Sequence, residues 1–266
     1  MSTTQIIVLA IVQGLTEFLP ISSSGHLNLV HLLSVWPDEG PLIDVSVHFG
    51  SLIAVLVYFW RETFTLIRGA LDLLRLRWGE EARLAAWLAL ASVPVFIAGA
   101  ILLYSGAINS LRTIAIVAVA NLVFAIVLYF ADRAPQREDM ARIGLGRALM
   151  IGFSQVLALI PGVSRSGITI TTARFMGINR FDAARFSMLL AIPTILGASA
   201  GSGYEIYRSG DLALQNHAVI AALASFATAY IAIWAMMAWL RKASFAPFVV
   251  YRIVLSAVLL AVLAFS

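Results

Sequence analysis

Two short polar stretches interrupt an otherwise apolar chain, and they resemble each other. The first runs Gln13-Gly-Leu-Thr-Glu-Phe-Leu-Pro-Ile-Ser-Ser-Ser-Gly-His26, the second Gln155-Val-Leu-Ala-Leu-Ile-Pro-Gly-Val-Ser-Arg-Ser-Gly167. Aligned on Gly25 and Gly167, Gln13 falls on Gln155, and Ile21-Ser-Ser-Ser-Gly25 falls on Val163-Ser-Arg-Ser-Gly167. Proline, glycine and clustered hydroxyls inside a hydrophobic run leave backbone amides without partners. Hydrocarbon tolerates such a break only where protein or a wet cavity surrounds it. A broken helix that recurs in both halves of a chain points to a binding site at their junction.

The setting is a membrane. The chain is 61% hydrophobic and 12% charged, against about 25% charged in soluble domains. Its net charge of +4 then reflects arginine-rich loops and not nucleic-acid binding. The absence of cysteine excludes disulfides and thiolate metal sites. Residues 1–30 make a poor signal peptide, since Glu17 and Pro20 interrupt the apolar run and no basic segment precedes it.

A bilayer core needs about 20 apolar residues per helix, and six stretches qualify: 43–60, 83–104, 111–131, 183–203, 217–240 and 246–265. The pieces 5–19 with 25–36, and 147–160 with 165–177, are too short to cross. Each pair flanks one polar motif and reads as a re-entrant helical hairpin with the motif at its tip; the alternative is a pair of kinked full spans. The predicted fold class is an all-α polytopic membrane protein. Six transmembrane helices and two re-entrant hairpins form two inverted-topology repeats in a single domain, with repeat one at 1–131, a cytoplasmic connection at 132–146, and repeat two at 147–266. Three spans separate the hairpins, so they enter from opposite faces and their tips meet. Loops on one predicted side carry Arg61, Arg68, Arg75, Arg77, Arg83, Arg133, Arg137, Arg142, Arg147, Arg174, Arg180, Arg185, Arg241 and Lys242, and the other side carries Arg112 and Arg208. The positive-inside rule puts the basic side in the cytoplasm and both termini in the periplasm. The charges of 132–146 read as a solvated loop.

Ionisable groups at membrane depth are costly and mark function by default. Arg165 cannot deprotonate, so at a hairpin tip it needs an anion, either Glu17 or a ligand phosphate. Both motifs turn into the start of a helix, where backbone N–H groups and the dipole favour an anion. Ser22, Ser24, Gly25, Ser164, Ser166, Gly167 and Thr169 are therefore candidate phosphate contacts, with Arg165 and Glu17 as catalytic candidates. His26 is a candidate acid or base, and Ser23 is the favoured nucleophile with His26 as its base. Ser22 and Ser24 are rival hydroxyls, and attack by water or by His26 itself stays open. A blander arrangement makes the hydroxyls helix caps and Arg165–Glu17 a structural ion pair. His31 and His48 lack polar company in the sequence, His217 reads as interfacial, and Asp44 and Asp182 read as helix caps.

The two motifs resemble the bacitracin-resistance family of undecaprenyl-diphosphate phosphatases. The first signature stands here as Gln13-Gly-Leu-Thr-Glu17 running into Phe-Leu-Pro-Ile-Ser22-Ser23-Ser24-Gly-His26, the second as Pro161-Gly-Val-Ser164-Arg165-Ser166-Gly167-Ile-Thr169. The resemblance covers essentially the whole chain. It implies an inner-membrane enzyme that removes the terminal phosphate of undecaprenyl diphosphate, recycles the carrier for peptidoglycan synthesis and opposes bacitracin. It also implies dependence on a divalent cation, Mg²⁺ or Ca²⁺, held by an acidic pair. Here Gln13 replaces the first acid, so Glu17 and Gln13 make a weak site for a hard cation that diphosphate oxygens would have to complete. The expected partners are a prenyl diphosphate lipid, membrane lipids and, as one oligomeric expectation, a second copy in a homodimer. A different class competes, because inverted repeats meeting at broken helices are also transporter architecture, and fold alone does not choose. A proton-transfer residue beside a serine favours the enzyme.

Overall fold

The computed structural model describes all residues except 1, 34, 35, 37–40, 112, 209, 210 and 266. The side chains of His31 and Arg208, like Arg112, lie outside what is described. Eleven α-helices are described: α1 (Thr3–Thr16), α2 (Ser23–Leu33), α3 (Pro41–Tyr58), α4 (Trp60–Leu74), α5 (Glu80–Ser105), α6 (Ile114–Asp132), α7 (Leu145–Gln155), α8 (Arg165–Phe175), α9 (Arg180–Arg208), α10 (Leu212–Leu240) and α11 (Ala246–Phe265). No strand occurs among the described residues beyond one isolated parallel bridge, Glu138 to Ile178.

Five helices are long and apolar enough to cross a bilayer, and a sixth span is available if α3 and α4 count together. The chain is thus a multi-pass membrane protein. The expected stretches 83–104, 183–203, 217–240 and 246–265 each fall inside one long helix, and the expected 111–131 is α6 from Ile114 onward. The expected 43–60 is α3, which turns by 96° into α4. Arg61 to Arg75, counted as loop from the sequence, belong to this ordered helix and its C-cap.

The helices flanking the two motifs are short because the motifs cut them. α1 has 14 residues and α2, α7 and α8 have 11 each, so at about 1.5 Å per residue each reaches only about 16–21 Å. That is well short of a hydrocarbon core of about 30 Å. Each half's first short helix packs on a long helix of the other half, α1 on α10 and α7 on α5. Glycine permits both approaches: a Cβ on Gly14 would lie 2.5 Å from the Ser225 carbonyl, and one on Gly152 would lie 2.2 Å from that of Ala91. Small residues at such crossings let backbones close, which is how helices pack where lipid removes the hydrophobic drive.

The connection at 132–146 is tied down more than a solvated loop would be. Asp132 is buried and accepts from Arg180 Nε at 2.6 Å and from the Phe245 amide at 3.1 Å. Arg174 is fully buried and donates to the carbonyls of Asp132, Ala134 and Ile178. Glu138 pairs with Arg147. The start of α9 is capped by Asn179, whose Oδ1 accepts from the Asp182 amide at 2.9 Å; Asp182 sits in the first turn and accepts from Asn179 and the Met140 amide. Asn179 therefore takes the capping role expected of Asp182.

Candidate active site

The same turn is built twice. Ser22 (φ 71°) and Ser164 (φ 72°) occupy equivalent positions in the two motifs, and both hold a backbone conformation that non-glycine residues rarely adopt. Such strain is concentrated at functional sites. Each of these serines caps the helix that follows. Ser22 Oγ accepts from the Gly25 amide at 3.4 Å and Ser164 Oγ from the Gly167 amide at 3.1 Å. Each also lies 3.2 Å from the hydroxyl two residues on, Ser24 in one turn and Ser166 in the other. The residue between them differs: Ser23 in the first turn, Arg165 in the second.

These two side chains converge on one carboxylate. Ser23 donates to Glu17 Oε2 at 2.9 Å, and Arg165 NH2 to Glu17 Oε1 at 3.1 Å. Glu17 is 8% exposed and Arg165 13%, so the pair is desolvated and each charge needs the other. Arg165 NH1 also donates to the Ser187 carbonyl at 3.4 Å. The tips touch directly: the Gly162 amide donates to Ser24 Oγ at 3.3 Å and Ser166 to the Leu19 carbonyl at 2.9 Å.

A cavity of about 350 Å³ opens beside this junction. Glu17, Ser22, Ser23, Ser24, Ser164 and Arg165 line its polar side, and Val45, Val95, Leu159 and Ile195 line an apolar wall. Asp44 and His48 also line it. The remaining candidates lie outside it. Ser166 stitches the tips, Thr169 bonds Ser187 Oγ at 2.7 Å, and the Gly25 and Gly167 amides are taken by the capping serines.

His26 differs from its expected place. Its Nδ1 meets the Ser22 carbonyl at 2.8 Å and its Nε2 meets Tyr251 Oη at 2.5 Å, with the two rings parallel. Both nitrogens are occupied, so the expected Ser23–His26 pair is replaced by Ser23–Glu17. Helix geometry explains the change: Ser23 opens α2, and His26 three residues on bonds back to the turn.

Two further side chains join the junction. His48, on α3, lies 3.8 Å by Nε2 from Glu17 Oε2 and lines the cavity; Nδ1, bonded to the Asp44 carbonyl at 2.8 Å, leaves Nε2 facing Glu17. Arg252, on α11, is fully buried and has no carboxylate within ion-pair distance among the described residues. It donates to Asn121 Oδ1 at 2.7 Å, to the Gly162 and Val163 carbonyls at 3.0 Å, and to the Pro20 carbonyl at 3.3 Å. It clamps both tips and adds positive potential beneath them. An arginine inside an apolar span was the available signal.

The donor set does not by itself suit a hard cation. Among the described residues no group of three or more His, Asp or Glu side chains could hold a metal. Both Glu17 oxygens are engaged by donors, and Gln13 faces Glu17 with its amide nitrogen at 2.8 Å while its buried Oε1 has no partner.

Fold and site together define a multi-pass membrane protein in which two similar polar turns, one from each half, meet beside one cavity. The family described as "Bacitracin resistance protein BacA" matches residues 6–258. The chain belongs to that family. It is 45% identical to the undecaprenyl-diphosphatase of Ruegeria sp. (strain TM1040), over 98% of both chains. It is also 45% identical to that of Dinoroseobacter shibae, over the full length of both. With undecaprenyl-diphosphatase 1 of Rhodospirillum rubrum it shares 44% over 97% of this chain and 94% of that one.

Proposed function

We propose that this chain hydrolyses undecaprenyl diphosphate to undecaprenyl phosphate and inorganic phosphate, so recycling the lipid carrier for peptidoglycan synthesis and supporting bacitracin resistance. The observation that carries the reading is the convergence of Ser23 and Arg165 on Glu17 at the lining of a mainly apolar cavity. A phosphoanhydride needs a nucleophile, charge neutralisation and fixed positioning. In the proposed sequence the diphosphate takes the fork of Arg165, which frees the Glu17 carboxylate. Ser23 Oγ attacks the terminal phosphorus, its proton passes to Glu17, the anhydride P–O bond breaks and undecaprenyl phosphate leaves. Water then hydrolyses the phosphoserine and the proton returns to the serine. Ser22, Ser24 and Ser164 position phosphate oxygens, while Ser166, Thr169, Gly25 and Gly167 hold the turns. His26, parked on Tyr251, and His48, at the cavity lining, are further groups able to carry protons.

Released phosphate, measured from purified protein with undecaprenyl diphosphate, tests this. Binding of the lipid without any release would instead favour a carrier of prenyl phosphates, the reading that reciprocal packing of the two halves also suits.

The finer architecture belongs to the same proposal: six spans, two re-entrant hairpins and two inverted repeats in one domain, split by 132–146. The reciprocal contacts of α1 with α10 and α7 with α5 support it. The cavity-lining Asp44 and His48 lie toward the start of α3, and the basic Arg61 lies beyond its far end. This supports a site opening to the periplasm of the bacterial inner membrane, with periplasmic termini. In this cysteine-free chain, single cysteines at Ser2 and Arg137 should label from outside and inside respectively; a Ser2 cysteine labelled only from the cytoplasm overturns the orientation.

A divalent cation, Mg²⁺ or Ca²⁺, is proposed to support phosphate binding. Glu17 is its proposed main protein ligand, and Gln13 is a weak partner through its unpaired Oε1. Gln13→Glu should then lower the cation concentration giving half-maximal phosphate release. An unchanged requirement would separate these two side chains from the ion. The homodimer stays a proposal, checked by mass in detergent or nanodiscs.

A further inference from the structure

α4 leaves α3 at 96° through Phe59 and does not continue the span. Its 15 residues carry two unlike faces. Gly69 packs at close range on the backbone of Glu81, and Glu62 pairs with Arg185 of α9. This anchors one face to α5 and removes an acid from the rest of the helix. On the outer side Trp60, Phe64, Ile67, Leu71 and Leu74 recur at helical spacing and are 45 to 82% exposed. A stripe of five large apolar residues is far more than scattered surface hydrophobes. Arg61, Arg68 and Arg75 run along one flank of it at the same period. All three are exposed and none has a carboxylate within ion-pair distance among the described residues. Asp72 is the single acid on that flank, so the flank stays net positive.

An apolar stripe beside a basic flank, on a helix lying across the direction of its neighbouring span, has the pattern of a helix in the bilayer interface. Exposed Trp60, the first residue of α4, and exposed Trp78, four residues beyond its last, fit the aromatic preference for that zone. A zwitterionic headgroup offers a phosphate whose charge its own cation offsets, whereas anionic headgroups add net negative charge to meet the three guanidinium groups. We propose that α4 is a lipid-recognition element: its stripe enters the acyl boundary of the leaflet on the basic side, and Arg61, Arg68 and Arg75 bind the headgroups of anionic phospholipids. This site is separate from the cavity and takes a different ligand.

The test uses the full chain in nanodiscs of phosphatidylcholine. Leu71→Cys gives a unique attachment point for a bimane fluorophore, because the chain has no cysteine. A minor share of brominated phosphatidylglycerol should quench it as strongly as about a fivefold larger share of brominated phosphatidylcholine. R61Q/R68Q/R75Q should abolish that preference, and R133Q/R137Q, altering exposed arginines elsewhere, should keep it. Equal quenching by the two lipids with all arginines intact overturns headgroup recognition. Quenching by neither overturns the interfacial placement, and the stripe would then be covered by protein. Retained preference in the triple variant assigns the effect elsewhere and overturns the role of these residues. Because all three substitutions are at exposed positions, an unchanged thermal midpoint in detergent establishes that the triple variant is folded.

Discussion

Ser23→Ala should lose undecaprenyl-diphosphatase turnover by about a thousandfold or more while still binding the lipid. The substitution removes only an oxygen whose hydrogen bond is to Glu17 Oε2, at 2.9 Å. Removing a nucleophile can cost far more than any single positioning contact, and the remaining floor of the pocket is untouched. The wild-type enzyme, quenched in acid during turnover, should carry phosphate on Ser23 detectable by mass spectrometry. Ser22 and Ser24 are poorer nucleophiles on this geometry: they lie 3.2 Å from each other and have no carboxylate as partner. If Ser23→Ala retains substantial turnover while His26→Ala abolishes it, attack by water or by the imidazole takes the place of the serine. His26→Ala reads separately, since that side chain meets Tyr251 and not Ser23.

Arg165→Lys should lower the turnover rate by about 10²–10³, the usual effect of removing one preorganised electrostatic contact from a transition state. Lysine keeps the charge that compensates Glu17 but lacks the planar fork. In the protein that fork reaches Glu17 at 3.1 Å and the Ser187 carbonyl at 3.4 Å, which fixes its plane at the cavity wall. The charge is retained, so the folded protein should keep its thermal midpoint within a few degrees of the parent, and the loss should fall on turnover more than on lipid binding. Near-parental turnover in folded Arg165→Lys would leave the Glu17–Arg165 pair a structural one.

Period and polarity made most of this molecule legible in its sequence. Apolar runs of about 20 residues located five long helices, and the Pro–Gly–Ser interruptions located the breaks between α1 and α2 and between α7 and α8. The alignment of Ser22 with Ser164 had a physical basis, since the two share a rare backbone conformation. Contacts across the chain were harder to read. His48 lacks polar neighbours in sequence because its company, Glu17, arrives from another helix. Arg252 was absorbed into an apolar span although nothing local could compensate it; its partners are carbonyls on two distant turns. His26 went to Tyr251 for the same reason, a partner 225 residues away. The amphipathic period of α4 is present in the sequence, but arginines at a span's end carry a topology signal equally well, and only the 96° turn separates the two.

The clamp formed by Arg252 has a consequence for biosynthesis. The chain is made from the N-terminus, so Glu17, Ser23 and Arg165 are all inserted well before α11. Until then the carbonyls of Pro20, Gly162 and Val163 lack the cation that draws them together. A ribosome stalled before residue 252 would hold every proposed reacting side chain in the membrane without the strut that sets the two tips against each other. The junction of the two turns is therefore completed late in translation, when α11 packs against α6 and delivers its arginine.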